Sequence, residues 1–201
     1  VALLEQAGYG ITRDVLAAHH FGWPQTRKRY FIVALKGEDP LSLRDVIRPA
    51  WAHAANPAQW PLELAKQWFD DSDPLSRPTE HSEANRRRIE VLFEEGLNGL
   101  PLDERPDCHR NGTSYSASYG RMHADQPAPT ITSGFTSPGR GRFVHPHERR
   151  TLTPREAALI QGFPADYPFI AGKEPPTRSL LGKWIGDAVP PILGMIAASA
   201  A

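Results

Sequence analysis

The chain has 201 residues, 23 basic and 23 acidic side chains and no net charge, so it is long enough to bury a core but too balanced to hold a polyanion by bulk charge. Any nucleic-acid contact has to come from local clusters. A single cysteine, Cys108, excludes a disulfide framework and a cysteine-based zinc site, and no apolar run of membrane-spanning length or signal peptide is visible. These features point to a reducing, intracellular and cytoplasmic setting with no membrane partner. The first residue is Val1 rather than methionine, which reads as an excised or processed piece. The 20 prolines and 16 glycines concentrate after Ala50 and predict a loop-rich middle with short elements.

In chain order, residues 1–7 read as the end of a helix closed by Gly8. Residues 9–18 can form a strand, interrupted at Thr12, Arg13 and Asp14, and residues 19–24 a turn. Gln25-Thr26-Arg27-Lys28-Arg29 leads into residues 30–35, which are continuously apolar, aromatic and β-branched. That run reads as a strand buried on both faces and ended by Gly37. By itself the basic segment is a solvated turn before a core strand. Alternate residues of an extended segment point the same way, so Gln25, Arg27 and Arg29 share a face.

Residues 41–47 predict a short helix. In the loop-rich section beyond it, Trp51, Trp60 and Trp68 read as satellite core rather than stacking platforms. Ser82 caps a helix to Glu95 with Ile89, Leu92 and Phe93 on one face and a stop at Gly96. Its Arg86-Arg87-Arg88 run is either a solvated face or a set of phosphate contacts. Residues 107–121 read as loop and short strand, and Cys108 as structural or incidental. Thr130, Ile131 and Thr132 can form a strand. Pro138-Gly139-Arg140-Gly141-Arg142 is a flexible basic loop or a mobile surface hairpin. Thr153, Pro154 and Glu156 make a capping box with proline at the first helical position. Residues 157–160 follow, and Gly162 with Pro164 ends a short connector helix. Residues 179–184 predict a helical turn, residues 186–191 a turn and N-cap, and residues 192–200 a small-residue apolar helix.

Three strings in this order carry a resemblance: Phe21-Gly-x-Pro-Gln-x-Arg-x-Arg29 before an apolar strand, Arg150-x-Leu-Thr-Pro-Arg-Glu-Ala-Ala-x-x-Gln-Gly-Phe-Pro164, and Gly186-Asp-x-x-Pro-Pro191. They resemble motifs of the DNA cytosine-5 methyltransferases, with Leu159 where arginine is usual and Asp187 where asparagine is frequent. The resemblance implies an α/β fold, the C-terminal part of a Rossmann-like S-adenosylmethionine-dependent methyltransferase sheet, plus a small loop-rich target-recognition domain. Residues 1–48 would end the catalytic domain, 49–148 form the target-recognition domain, and 149–201 connect and return to the catalytic domain.

By the same resemblance Arg27 and Arg29 are catalytic, Arg29 being preferred as the one facing a flipped cytosine and the active-site acid. Arginine presents a fork of donors that suits phosphate oxygens and the cytosine O2. Gln25, Arg121, Thr130, Thr132, Arg140 and Arg142 would contact DNA. Gly186, Asp187, Ala188 and Val189 would lie against S-adenosylmethionine. The family's early Gly-rich cofactor loop, Pro-Cys nucleophile and Glu-Asn-Val acid motif do not occur in this sequence. The expected partners are therefore double-stranded DNA and an N-terminal catalytic half, from the same gene or a separate subunit. The isolated chain is expected to be inactive and to self-associate through its bare strand and last helix. The other readings are a non-catalytic DNA-binding or specificity subunit and an RNA-modifying relative.

Overall fold

The computed structural model describes residues 1–46, 57–67, 70, 72–110, 117–170 and 174–201. Helix α1 (Ala2–Gln6) turns through Gly8 into strand β1 (Tyr9–Ala17). A 3-10 turn (Ala18–Phe21) ends at Gly22, whose φ of 78° is left-handed, and the chain returns as β2 (Lys28–Lys36). The two strands are antiparallel, with Val15 opposite Tyr30 and Arg13 opposite Ile32. Side chains alternate across the pleat. One face carries Leu16, Phe31 and Val33 onto Leu193 and Ile196 of the last helix, α8 (Pro191–Ala198), together with Leu43 of α2 (Leu43–Val46).

The opposite face holds Val15, Tyr30 and Ile32, which are 54%, 54% and 45% exposed. The strand expected to be buried on both faces is thus covered on one only. The reason is that α8 lies on a single side and nothing in the described residues encloses the other.

A second core joins α3 (Gln59–Gln67), α6 (Pro154–Gln161) and α7 (Arg178–Asp187) around Leu62, Ile131, Phe143, Leu152, Ile160 and Ile185. Helix α3 lies in a stretch that reads as loop. Its Pro61 sits in the first turn, where the missing N–H has no intrahelical partner to lose. A third core packs α4 (Glu83–Glu94) on Leu100, Tyr119 and Val144, and α5 (Asp107–Arg110) lies nearby in sequence with Cys108 exposed. The side chain of Ser82 caps α4 by accepting from the Asn85 N–H, as its sequence requires. Trp60 is not satellite core: it is largely exposed and meets Trp23 edge-on. Trp51 and Trp68 lie outside the described residues.

Thr130–Thr132 forms no strand. Ala128 makes the bridge to Gln25, and the Ile131 carbonyl is taken instead by the Arg27 side chain. The short turn expected at 179–184 is a ten-residue helix capped by Thr177, and it runs through Gly182 and Gly186. Those glycines serve packing. A Cβ on Gly182 would lie 2.5 Å from the Ser133 carbonyl oxygen, and one on Gly186 would lie 2.2 Å from the Ser133 nitrogen. Residues Arg178–Ala198 together are apolar and long enough to cross a membrane, which corrects the expectation that no such stretch exists. They are two helices parted at Pro190, and Leu181 and Ile185 enter one core while Leu193 and Ile196 enter another.

Gly162 closes α6 with φ 105°, and an added Cβ would meet Pro191 Cδ at 2.6 Å and Trp23 at 3.1 Å. Gly162→Ala is expected to cost about 2–4 kcal/mol, from the left-handed backbone and the overpacking together. A lowered urea midpoint with an unchanged slope would register it.

Candidate functional site

Helix α6 is the anchor. All but one of its eight residues are buried, including Glu156 and Gln161. The capping box forms: Thr153 Oγ1 accepts from the Glu156 N–H, and Glu156 accepts from the Thr153 N–H. The same carboxylate receives a two-pronged bond from Arg150, whose Nη1 and Nη2 each lie 2.7 Å from its oxygens. Arg150 also reaches Glu148 at 2.8 Å. Burial works against the Arg150 charge, but Glu156 and Glu148 outweigh it and raise its pKa. Arg155 ties the first turn to Asp73 at 2.8 Å and to the Ala165 carbonyl.

His145 is fully buried beside this pair. Its Nδ1 accepts from the backbone N–H groups of His147 and Glu148, so the ring proton belongs on Nε2, which faces Glu156 Oε1 at 3.6 Å. His145, Glu148 and Glu156 have the composition of a cation site. The cation in it is the Arg150 guanidinium, and a metal on Nε2 would need a proton on Nδ1, where two N–H donors already point.

At the other end of α6, Trp23 Nε1 donates to the Ile160 carbonyl at 2.9 Å and Gln25 Nε2 to Gln161 Oε1 at 2.9 Å. Gln161 in turn donates to the Ala188 carbonyl. Gln25 has no exposed surface. Rather than lying at a surface, its amide is bound to α6 in the core ahead of β2. Arg27 is 1% exposed. Its Nη1 lies 2.7 Å from the Ile131 carbonyl and its Nη2 3.0 Å from the Gly186 carbonyl, with Nε unpartnered. Burial first, then repulsion from Arg29, brings its pKa down to about 10, and Asp187 opposes the fall. The Arg27 side chain is thus enclosed by the two segments whose carbonyls it holds. Arg29, next on the shared face, is half-exposed and donates to the adjacent Lys28 carbonyl.

The described part of the loop section, residues 117–144, is packed by specific contacts. Tyr119 takes φ 56°, unusual for a bulky residue, and its N–H donates to the Pro138 carbonyl at 2.7 Å. A Cβ on Gly139 would lie 2.9 Å from the Tyr119 hydroxyl. The expected flexible loop is therefore a 3-10 turn, Pro138–Arg140, packed on Tyr119. Arg142 turns inward and donates to the carbonyls of Asn98 and Arg121. Arg121 lies over the Phe93 ring at 4.8 Å. Arg140 and Thr132 are exposed, and Thr130 is half-buried. The Arg86-Arg87-Arg88 run is the solvated face: Arg86 pairs with Glu83, Arg87 with Glu90 and Glu94, and Arg88 with Asn85 and the Glu104 carbonyl.

Gly186 is buried at the end of α7, whereas Asp187 and Val189 are exposed and Ala188 is half-buried. Gly186 and Asp187 close a helix rather than forming the expected turn, because Gly186 must fit under Ser133. Of the residues that sequence reasoning passed over, Gln161 had a signal in its own string. Tyr119 and Asp73 had none, since each acts through a contact distant in sequence, Tyr119 with Pro138 and Asp73 with Arg155.

The fold is the α/β fold of methyltransferases. The S. pombe Dnmt2 methyltransferase superposes with a TM-score of 0.60 at 16% identity over 98% of this chain and 57% of that one. Entamoeba histolytica methyltransferase EhMeth gives 0.52 at 14% identity. The C-5 cytosine-specific DNA methylase family matches residues 1–200, and the chain belongs to that family. Type II methyltransferase M1.BsuMI of Bacillus subtilis (strain 168) is 46% identical over 168 residues, 83% of this chain and 38% of the relative. Type II methylase M.HgiDII of Herpetosiphon aurantiacus is 32% identical over 210 residues, 97% of this chain and 56% of the relative. The chain thus spans about half or less of the length of these two relatives.

His145 has a measurable consequence. Burial first, with Arg150 adding and Glu156 opposing, pushes its pKa down from 6.5 to about 4. The folded state therefore favours the neutral ring. This contribution to stability is complete above about pH 6.5 and is lost as pH falls toward 4. The loss is expected to reach at most ~1.4 kcal/mol per pH unit. His145→Asn, whose Oδ1 can still accept the two N–H groups without titrating, should flatten that part of the profile in urea unfolding between pH 7 and 4.

Proposed function

We propose that this chain is the target-recognising part of a DNA cytosine-5 methyltransferase, which moves a methyl group from S-adenosylmethionine to C5 of cytosine at a specific DNA site. The observation that carries this is convergence. The three family strings, far apart in sequence, meet through side-chain hydrogen bonds of Gln25 and Arg27 to α6 and to Gly186. We further read residues 1–48 as the end of the catalytic domain, 49–148 as the target-recognition domain, and 149–201 as the connection and return. The enzyme acts inside the cell, on duplex DNA.

Cytosine's reacting atoms are inaccessible in the stack, so the base must be extruded. A thiolate that attacks C6 and an acid at N3 have to come from a further polypeptide segment, because neither a Pro-Cys nor a Glu-Asn-Val string occurs here. The bare row Val15, Tyr30 and Ile32, beside strands with no second partner among the described residues, suits the seam with that segment. Without the segment, the same row is where two copies would meet.

Arg29 exchanges the Lys28 carbonyl for the O2 of the extruded cytosine. Arg140 contacts phosphate, and the exposed Thr132 is free to meet a base edge or phosphate oxygen. Arg121, Arg142 and Thr130 support these loops from behind. S-adenosylmethionine supplies the methyl group when bound. The exposed Asp187 carboxylate, with Ala188 and Val189 on a backbone fixed by buried Gly186, fits a ligand that carries hydroxyl and ammonium donors.

The purified chain is expected to transfer no labelled methyl group from S-adenosylmethionine to DNA, and to do so once joined to a segment carrying the nucleophile. Transfer by the chain alone would overturn the division of labour. No transfer by the joined protein, with DNA binding intact, would favour a non-catalytic specificity module. In the joined enzyme, Arg29→Ala should lower turnover more than DNA affinity, since most affinity comes from phosphates. Arg140→Ala should lower affinity and reduce the log–log salt slope by about one. An unchanged slope would make Arg140 an ordinary surface residue.

A further inference from the structure

The Arg27 side chain touches both a segment assigned to DNA and the segment assigned to the cofactor. Ile131, whose carbonyl it holds, lies between Thr130 and Thr132. Gly186, whose carbonyl it also holds, opens the run Asp187, Ala188 and Val189. A buried guanidinium bonded to two backbone carbonyls, with no carboxylate on it, is an expensive way to fill space. Two neutral side chains of the right shape would stabilise a core as well. The fork, however, sets two carbonyls at a fixed spacing and angle, which an ammonium cannot do.

The surrounding contacts have the same effect. The Cα of Gly186 lies so close under residues 132–133 that a Cβ would be 2.4 Å from the Thr132 carbonyl carbon. Gln25 holds Gln161, and Gln161 holds the Ala188 carbonyl. The segments 131–133 and 186–188 are therefore tied to each other by direct contact and through Arg27.

We propose that Arg27 is a positioning residue that couples cofactor binding to DNA binding, by making displacement of the 186–189 segment displace the 130–132 segment with it. The proposal rests on the methyltransferase reading above and goes beyond it. Arg27 touches neither ligand. It transmits the position of one binding segment to the other. The coupling is reciprocal: whatever factor the cofactor adds to DNA affinity, DNA adds to cofactor affinity.

The test uses the complete methyltransferase containing this chain, a duplex carrying its site, and S-adenosylhomocysteine as the non-reacting cofactor probe. In the unaltered enzyme, the ratio of DNA dissociation constants without and with S-adenosylhomocysteine is expected to be about 5 or more. Arg27→Lys keeps the charge and loses the fork, and the ratio should fall below about 2, whatever happens to each affinity alone. A ratio in Arg27→Lys equal to that of the unaltered enzyme, or no ratio in either, overturns the coupling. Failure of the unaltered enzyme to bind either ligand overturns the methyltransferase reading and the coupling with it.

A second measurement needs no variant. Amide hydrogen exchange of the unaltered enzyme, followed on adding S-adenosylhomocysteine alone, should slow in residues 130–133 as well as in 186–190. Slowing confined to 186–190 overturns the proposal.

Discussion

A buried helix with polar ends is the constraint on which this structure depends. Helix α6 lies inside the protein along almost its whole length, so its termini cannot turn to water for partners. At the N-terminus the answer is Thr153 and Glu156, with Arg150 neutralising the carboxylate that completes the cap. At the C-terminus the Ile160 carbonyl is met by Trp23, and Gln161 by Gln25. The N-terminal partners are local and the C-terminal ones come from the turn before β2, while Gln161 also holds the Ala188 carbonyl, so satisfying one helix joins the turn at 23–25, the segment at 150–153 and the α7–α8 junction. Removing one member of such a buried set leaves another without a partner, which costs more than the bond itself is worth.

Charge is organised by the same logic. The protein is neutral overall, and most of its arginines are bound to acids or carbonyls within the fold. Arg86 and Arg87 meet glutamates on α4, Arg155 meets Asp73, and Arg27 and Arg142 meet backbone oxygens. On the proposed methyltransferase reading, the sequence-independent part of DNA binding would rest on a few exposed points such as Arg140, because that part grows with the number of phosphates neutralised.

How much was legible in the sequence follows from how local each signal is. The α6 cap, its Gly162 stop and the Ser82 cap of α4 are written within four residues, and all appear as read. The hairpin and the last helix were legible from apolar runs. Helix α3 was hidden by Pro61, and α7 by two glycines that the fold needs for contact rather than for turning. The site divided along the same line. The Gln-x-Arg-x-Arg string announced important side chains, but not that Gln25 and Arg27 turn inward while Arg29 does not. That distinction depends on Ile131, Gln161 and Gly186, which the sequence sets more than a hundred residues away.

The hairpin at the start of the chain is covered by the helix at its end. Leu16, Phe31 and Val33 wait for Leu193 and Ile196, and the Leu41 N–H waits for the carbonyl of Ala200. This core therefore cannot close until residues 193–200 have joined the hairpin. Contacts so distant in sequence are slow to form, and until they do the inner face of the hairpin stands as bare as the outer one. Without α8 the hairpin would keep only Leu43 and its neighbours on the inner face, and a two-stranded ribbon so thinly covered is too little to hold itself together in water. Helix α8 is therefore the clasp of this core: its arrival turns a bare ribbon into a packed layer.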